Sequence, residues 1–101
     1  MPKLYEYLGI VIYFYSNELE PIHVHGRHAG RQSRAEVFLE NGRVVRVEIG
    51  DVPGKRPLEA NKLKDFREFV EAKSGEIVQR WTDFFEHNVR AKPEIITRRI
   101  K

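Results

Sequence analysis

Three of the chain's four histidines fall within six residues, in the stretch Pro21-Ile22-His23-Val24-His25-Gly26-Arg27-His28. Two imidazoles at i and i+2, alternating with Ile22 and Val24, leave the same face of an extended strand while the aliphatic pair enters the other. No acidic residue occurs between Glu20 and Glu36, whereas Arg27, Arg31 and Arg34 do. An imidazole that titrates near neutrality can move a proton, and beside guanidinium groups it can activate a ribose hydroxyl and protonate a leaving oxygen. On this reading His23 and His25 are the candidate acid and base, and Arg27 and Arg31 hold phosphate. Tyr13 and Tyr15 are candidates for stacking on bases.

The same residues admit other chemistry. A His-x-His strand can share a metal ion, with His28 folding back through Gly26 as a third ligand, although the spacing matches no established metal signature. No cofactor is expected. The histidines could also complete a hairpin through backbone hydrogen bonds, or recognise nucleic acid or a partner protein without catalysis. His87 reads as structural, its cation complementing a helix C-terminus. Lys55 and Arg56, just ahead of a predicted helix, are a second candidate anion site.

The elements that must position these residues follow from periodicity. Residues 7–15 are β-branched and aromatic on both alternating faces, which predicts a central strand. Residues 16–20 form a polar turn, and Pro21 opens the histidine strand, giving an antiparallel hairpin that brings Tyr13 or Tyr15 within cross-strand reach of a histidine. Residues 26–32 read as a loop or broad bend.

Residues 33–39 and 43–49 flank Glu40-Asn41-Gly42, the strongest hairpin signal in the chain. A bulged three-residue loop pairs Leu39 with Arg43, Val37 with Val45 and Ala35 with Val47, which gathers the apolar side chains on one face. The opposite face then matches Glu36 with Arg46 and Arg34 with Glu48, so both arginines read as surface ion-pair members.

Residues 50–57 form a crossing loop with Pro57 suited to a first helical turn. Leu58, Leu63, Phe66, Phe69 and Val70 predict a helix running to Lys73, and Ser74-Gly75 breaks it. Ile77, Val78, Trp81, Phe84 and Phe85 form the apolar stripe of a second helix over residues 76–88. Pro93 ends any continuation, and Ile95, Ile96 and Ile100 can add a short terminal strand. The expected architecture is α+β: an antiparallel sheet of about four strands followed by two amphipathic helices packed on one face, the other face open.

The chain's 101 residues, 41% of them hydrophobic, suit one domain over residues 1–101, with a compact core at about 7–88. The absence of cysteine removes disulfides and thiolate metal sites, and fits a cytoplasmic setting. The apolar stretch near the N-terminus is too short to span a membrane. The net charge of +3 sits largely in residues 89–101, where Arg90, Lys92, Arg98, Arg99 and Lys101 face one acid, Glu94. Such a basic tail either is solvated or attracts nucleic acid or an acidic partner.

The order Gly9-Ile10-x-Ile12, then Pro21-Ile22-His23-Val24-His25, then Ala35 with its strand, then two helices with a Trp in the second, resembles an uncharacterised bacterial family, domain of unknown function 4160. The likeness spans about residues 7–88, and the Pro-x-His-x-His core is its most specific part. Family members usually carry two prolines before the first histidine and an aromatic residue between the two; here Glu20-Pro21 and Val24 stand there. The resemblance implies a compact α+β fold. It also implies a toxin and antitoxin setting, hence a partner that is RNA or a small cognate protein. It assigns no catalytic residue.

Overall fold

The computed structural model describes residues 3–14, 22–89 and 92–100. Among them, six strands form one sheet and two helices cover one of its faces. The strands are β1 (Lys3–Tyr7), β2 (Ile10–Tyr13), β3 (His23–His28), β4 (Arg31–Glu40), β5 (Arg43–Asp51) and β6 (Glu94–Ile96). The helices are α1 (Ala60–Ala72) and α2 (Ser74–His87). The sheet order is β5-β4-β3-β2-β1-β6, antiparallel throughout except for the parallel β1–β6 pair.

Two more strands are present than the four expected, and one reason is a turn hidden in an apolar run. Residues 7–15 are not one central strand: Leu8 and Gly9 both take positive φ, at 49° and 83°, and fold β1 back on β2. That two-residue pattern matches the right-handed twist of antiparallel strands. Leucine seldom adopts it, so Gly9 was the one local signal. Here the turn is held from outside: Lys62 Nζ donates to the Leu8 carbonyl at 2.7 Å, and Leu8 N–H donates to Ile96 O at 3.2 Å. The expected broad bend at 26–32 is likewise a tight turn, with Ala29 at φ 51° and Gly30 at 76°, so β3 continues through His28.

The third hairpin corrects the expected register. Asn41 and Gly42 make a two-residue turn that pairs Glu40 with Arg43. A bulge then sets in, because Leu39 faces Val44 while Phe38 faces Arg46, leaving Val45 as the extra residue. Beyond it Val37 meets Val47 and Ala35 meets Ile49, so a single apolar face is recovered by a bulge in the strand instead of in the loop. The expected ion pairs across the strands do not form: Glu36 faces Glu48 and Arg34 faces Gly50. Arg46 pairs instead with Glu48 on its own strand, at 2.6 Å, and lies over the Phe38 ring at 4.0 Å.

The core sits between sheet and helices. Tyr5, Tyr7, Ile10, Ile12, Val24, Ala35 and Val37 meet Phe66, Phe69, Val70, Ile77 and Trp81, all buried. Phe69 packs on both tyrosines, with ring centroids 4.9 and 4.5 Å apart. The first helix starts later than expected, at Ala60; Leu58 N–H donates to Ser33 Oγ at 3.0 Å and seats Leu58 in the core ahead of it. Ser74-Gly75 is not the break: α1 stops at Ala72, Lys73 alone turns the chain, and Ser74 opens α2.

The C-terminal segment is docked on the domain. The expected terminal strand forms as β6 against β1. Beyond it, Ile100 N–H donates to the Tyr7 hydroxyl at 3.1 Å, and Arg99 reaches the buried Asp65 at 2.5 Å. No helix among the described residues is long and apolar enough to cross a membrane.

Candidate functional site

Alternation along β3 sends Val24 and Gly26 toward the helices: Val24 is wholly buried in the core, and a Cβ built on Gly26 would strike the Phe66 ring. His23, His25 and Arg27 therefore leave the helix-free face, as the sequence pattern implies. There the His23 and His25 rings meet edge to face with centroids 5.1 Å apart. Tyr13, directly across from His25 on β2, stacks on it at 5.4 Å with an interplanar angle of 18°. The Arg27 guanidinium lies over the Tyr13 ring, 5.5 Å from its centre, and the Tyr13 hydroxyl donates to Gln32 Oε1 at 2.9 Å. Of the two tyrosines considered, Tyr13 lies beside a histidine; Tyr15, Pro21 and the predicted turn at 16–20 lie outside the described residues.

The face is free of helices, yet this cluster is not open. His23 is 8% exposed, His25 4% and Tyr13 1%, with His23 Nε2 and His25 Nδ1 enclosed. Part of that burial is mutual, since three flat rings and a guanidinium cover one another. Tyr13, only 1% exposed, offers no open ring to a base, contrary to the expected stacking role.

His28 does not join the pair. Its parity along β3 is that of Val24 and Gly26, and a Cβ on Gly9 would lie 3.6 Å from its ring, which places it by the β1–β2 turn. A three-histidine metal site of His23, His25 and His28 is therefore not assembled, and no group of three or more His, Asp or Glu side chains able to hold a metal occurs among the described residues. Arg31 and Arg27 leave opposite faces. Arg31 turns toward the start of α1, where it donates to Pro57 O at 3.3 Å and lies 3.8 Å from Glu59.

What the fold does assemble is a rim of cations at one end of the sheet. Arg27 pairs across the strands with Gln32, and Gln32 N–H donates to the carbonyl of Arg56 at 2.9 Å. That single backbone bond sews the 52–57 loop to β4 in continuation of the row, and a Val52–Lys55 turn, closed at 3.0 Å, shapes the loop. Arg27, Arg34, Lys55 and Arg56 are all exposed there, whereas Arg31 is half-buried on the helix side. The sequence presents these as two unrelated basic stretches, roughly 20 residues apart; only the sheet register joins them. His87 ends α2 in the last turn and is exposed.

A second polar network, unannounced by any sequence motif, sits where α2 crosses β1. The Tyr5 hydroxyl donates to Glu76 Oε1 at 2.6 Å, and Arg80 lies 4.8 Å over the Tyr5 ring while reaching Glu76 and Glu94, each at 3.6 Å. Burial, and then the bond to Glu76, push the Tyr5 phenol well above the usual tyrosine range. The i, i+4 spacing of Glu76 and Arg80 was the available hint.

Comparison with known proteins gives one family match: residues 9–82 fit the family described as Domain of unknown function (DUF4160). No curated protein and no solved structure matches the chain.

Proposed function

The chain belongs to the DUF4160 family, and from that premise we propose that it binds RNA through the cationic rim formed by Arg27, Arg34, Lys55 and Arg56. The observation that carries this reading is the Gln32–Arg56 backbone bond, which converts two basic stretches into one surface. Exposed guanidinium and ammonium groups on a fixed backbone are suited to phosphate oxygens, and their attraction for a polyanion does not depend on base sequence. Arg34 is exposed and stands across from Gly50, whose lack of a side chain leaves room for its guanidinium.

The reading is one of binding. Cleavage by His23 and His25 would require a ribose hydroxyl to reach rings that are 8% and 4% exposed, and a general base must lie within hydrogen-bonding reach of the proton it takes. In this proposal the imidazole pair and Tyr13 form the support that fixes Arg27, and any toxin-like effect of the protein follows from sequestering RNA.

The test is titration of the full chain into a labelled single-stranded RNA over a salt series. Salt-sensitive binding that weakens in Arg27→Ala and Arg56→Ala, with the RNA recovered intact, supports the proposal. Absence of binding at low salt, or equal binding by both variants, overturns it. RNA decay that is lost in His23→Ala would replace it with the catalytic reading.

A further inference from the structure

The β5 strand is the outermost strand of the sheet on its side, nine residues long, and no described strand pairs with its outer edge. Such an edge carries a row of backbone donors and acceptors ready to pair with another strand. Which residues project is fixed by the register. Val37 N–H is used by Ile22 O on the β3 side, at 2.8 Å. The Val37–Val47 pair is therefore of the non-hydrogen-bonded kind, and the N–H and C=O of Val47 point outward from β5.

We infer that β5 pairs antiparallel with β5 of a second copy of this chain, about a two-fold axis through Val47. The charge pattern of the strand selects both the partner and the register. Around Val47 the order is Arg46-Val47-Glu48, and both charged side chains stand on the helix-free face, already 2.6 Å apart within one strand. Antiparallel pairing at Val47 puts Arg46 directly opposite Glu48 of the second copy, twice over, and closes an alternating ring of two cations and two anions. Sliding by two residues one way sets Arg46 against Arg46, and the other way Glu48 against Glu48. Like charges directly opposite each other disfavour both.

On the helix side the same register brings Val45 opposite Ile49 of the second copy. Val45 is 52% exposed and borders a cleft lined by Val44, Arg46, Val47, Glu71 and Ser74, so an apolar contact is available beside the ring of charges. A two-fold of this kind lies perpendicular to the sheet. It joins two six-stranded sheets edge to edge, with all four helices on one side and both helix-free faces on the other.

Sedimentation equilibrium of the full chain tests the inference. Wild type is expected at twice the chain's 11.9 kDa as concentration rises. Arg46→Glu makes all four facing charges acidic and Glu48→Arg makes all four basic, so each alone is expected to halve the mass, while an equimolar mixture of the two restores it. A wild type that stays at single-chain mass at every soluble concentration overturns the inference. So does a dimer that survives both single changes, or a mixture that remains monomeric. Circular dichroism of each variant reports folding. Should a single variant fail to fold, the double exchange, which keeps one charge of each sign on every strand, is expected to dimerise, and a monomeric double variant is equally fatal.

Discussion

The Phe66 ring occupies the space that a side chain at Gly26 would need: a Cβ built there would lie 2.7 Å from two of its carbons. This contact is where α1 closes onto the histidine strand, and it sits one residue from both His25 and Arg27. The glycine in His-Val-His-Gly-Arg-His is thus a seat for the helix.

Replacing Gly26 by alanine forces a fully buried ring out of place, because Phe66 has no exposed side into which it can swing. Overpacking of this kind costs about 1 to 3 kcal/mol. Urea unfolding of Gly26→Ala is expected to show that loss, and adding Phe66→Leu to return part of it. Stability equal to wild type would mean that the helix does not sit on β3 as described.

Ala29 takes φ 51° in an exposed turn, a conformation that costs a residue bearing a Cβ on the order of 1 kcal/mol. Asparagine and glycine bear it more easily. Ala29→Asn and Ala29→Gly are each expected to raise the melting temperature, an outcome open to check by calorimetry. A lower melting temperature in both would contradict a two-residue turn at that site.

The Tyr5 phenol keeps its proton in the folded protein beyond the ordinary value of 10.0, chiefly because it is buried and then because it is bonded to Glu76. The unfolded chain releases that proton near 10, so the stabilisation from this group is complete below that pH and is lost as pH rises through and past it. Thermal melts across the alkaline range should fall more steeply for wild type than for Tyr5→Phe, which has no proton to release. Parallel curves would show that Tyr5 ionises as freely folded as unfolded.

Phosphate binding at the rim predicts a graded salt response. Each phosphate of a single strand that the protein ceases to neutralise lowers the slope of log K against log salt by about 0.7. Lys55→Ala combined with Arg56→Ala should therefore flatten the slope by roughly twice that amount. Binding that weakens with no change of slope would assign these residues a role in folding the loop instead of in holding phosphate.

Alternation in sequence identified the α+β class, both helices with their core stripes, the Asn41-Gly42 hairpin, the shared face of His23 and His25 and the short terminal strand, because those features are local. Period-two and period-3.6 patterns report which side of a strand or helix meets the core, and the residues of such a pattern are near neighbours in the chain. The Leu8-Gly9 and Ala29-Gly30 turns escaped the same reading because their first residues have no intrinsic preference for positive φ. The first of them is held from far along the chain, by Lys62 on the Leu8 carbonyl.

The site itself was legible as a location but not as an environment. Sequence determined that two imidazoles and Arg27 share one face, since alternation is imposed by the pleat alone. Tertiary structure decided that the imidazoles are enclosed with Tyr13, that His28 and Arg31 leave by the other side, that Arg56 joins the row of Arg27, and that Arg46 pairs along its strand instead of across it. Burial, cross-strand register and the position of a bulge depend on which distant segments pack together, and those choices are made by summed interactions over the whole domain that no short stretch encodes.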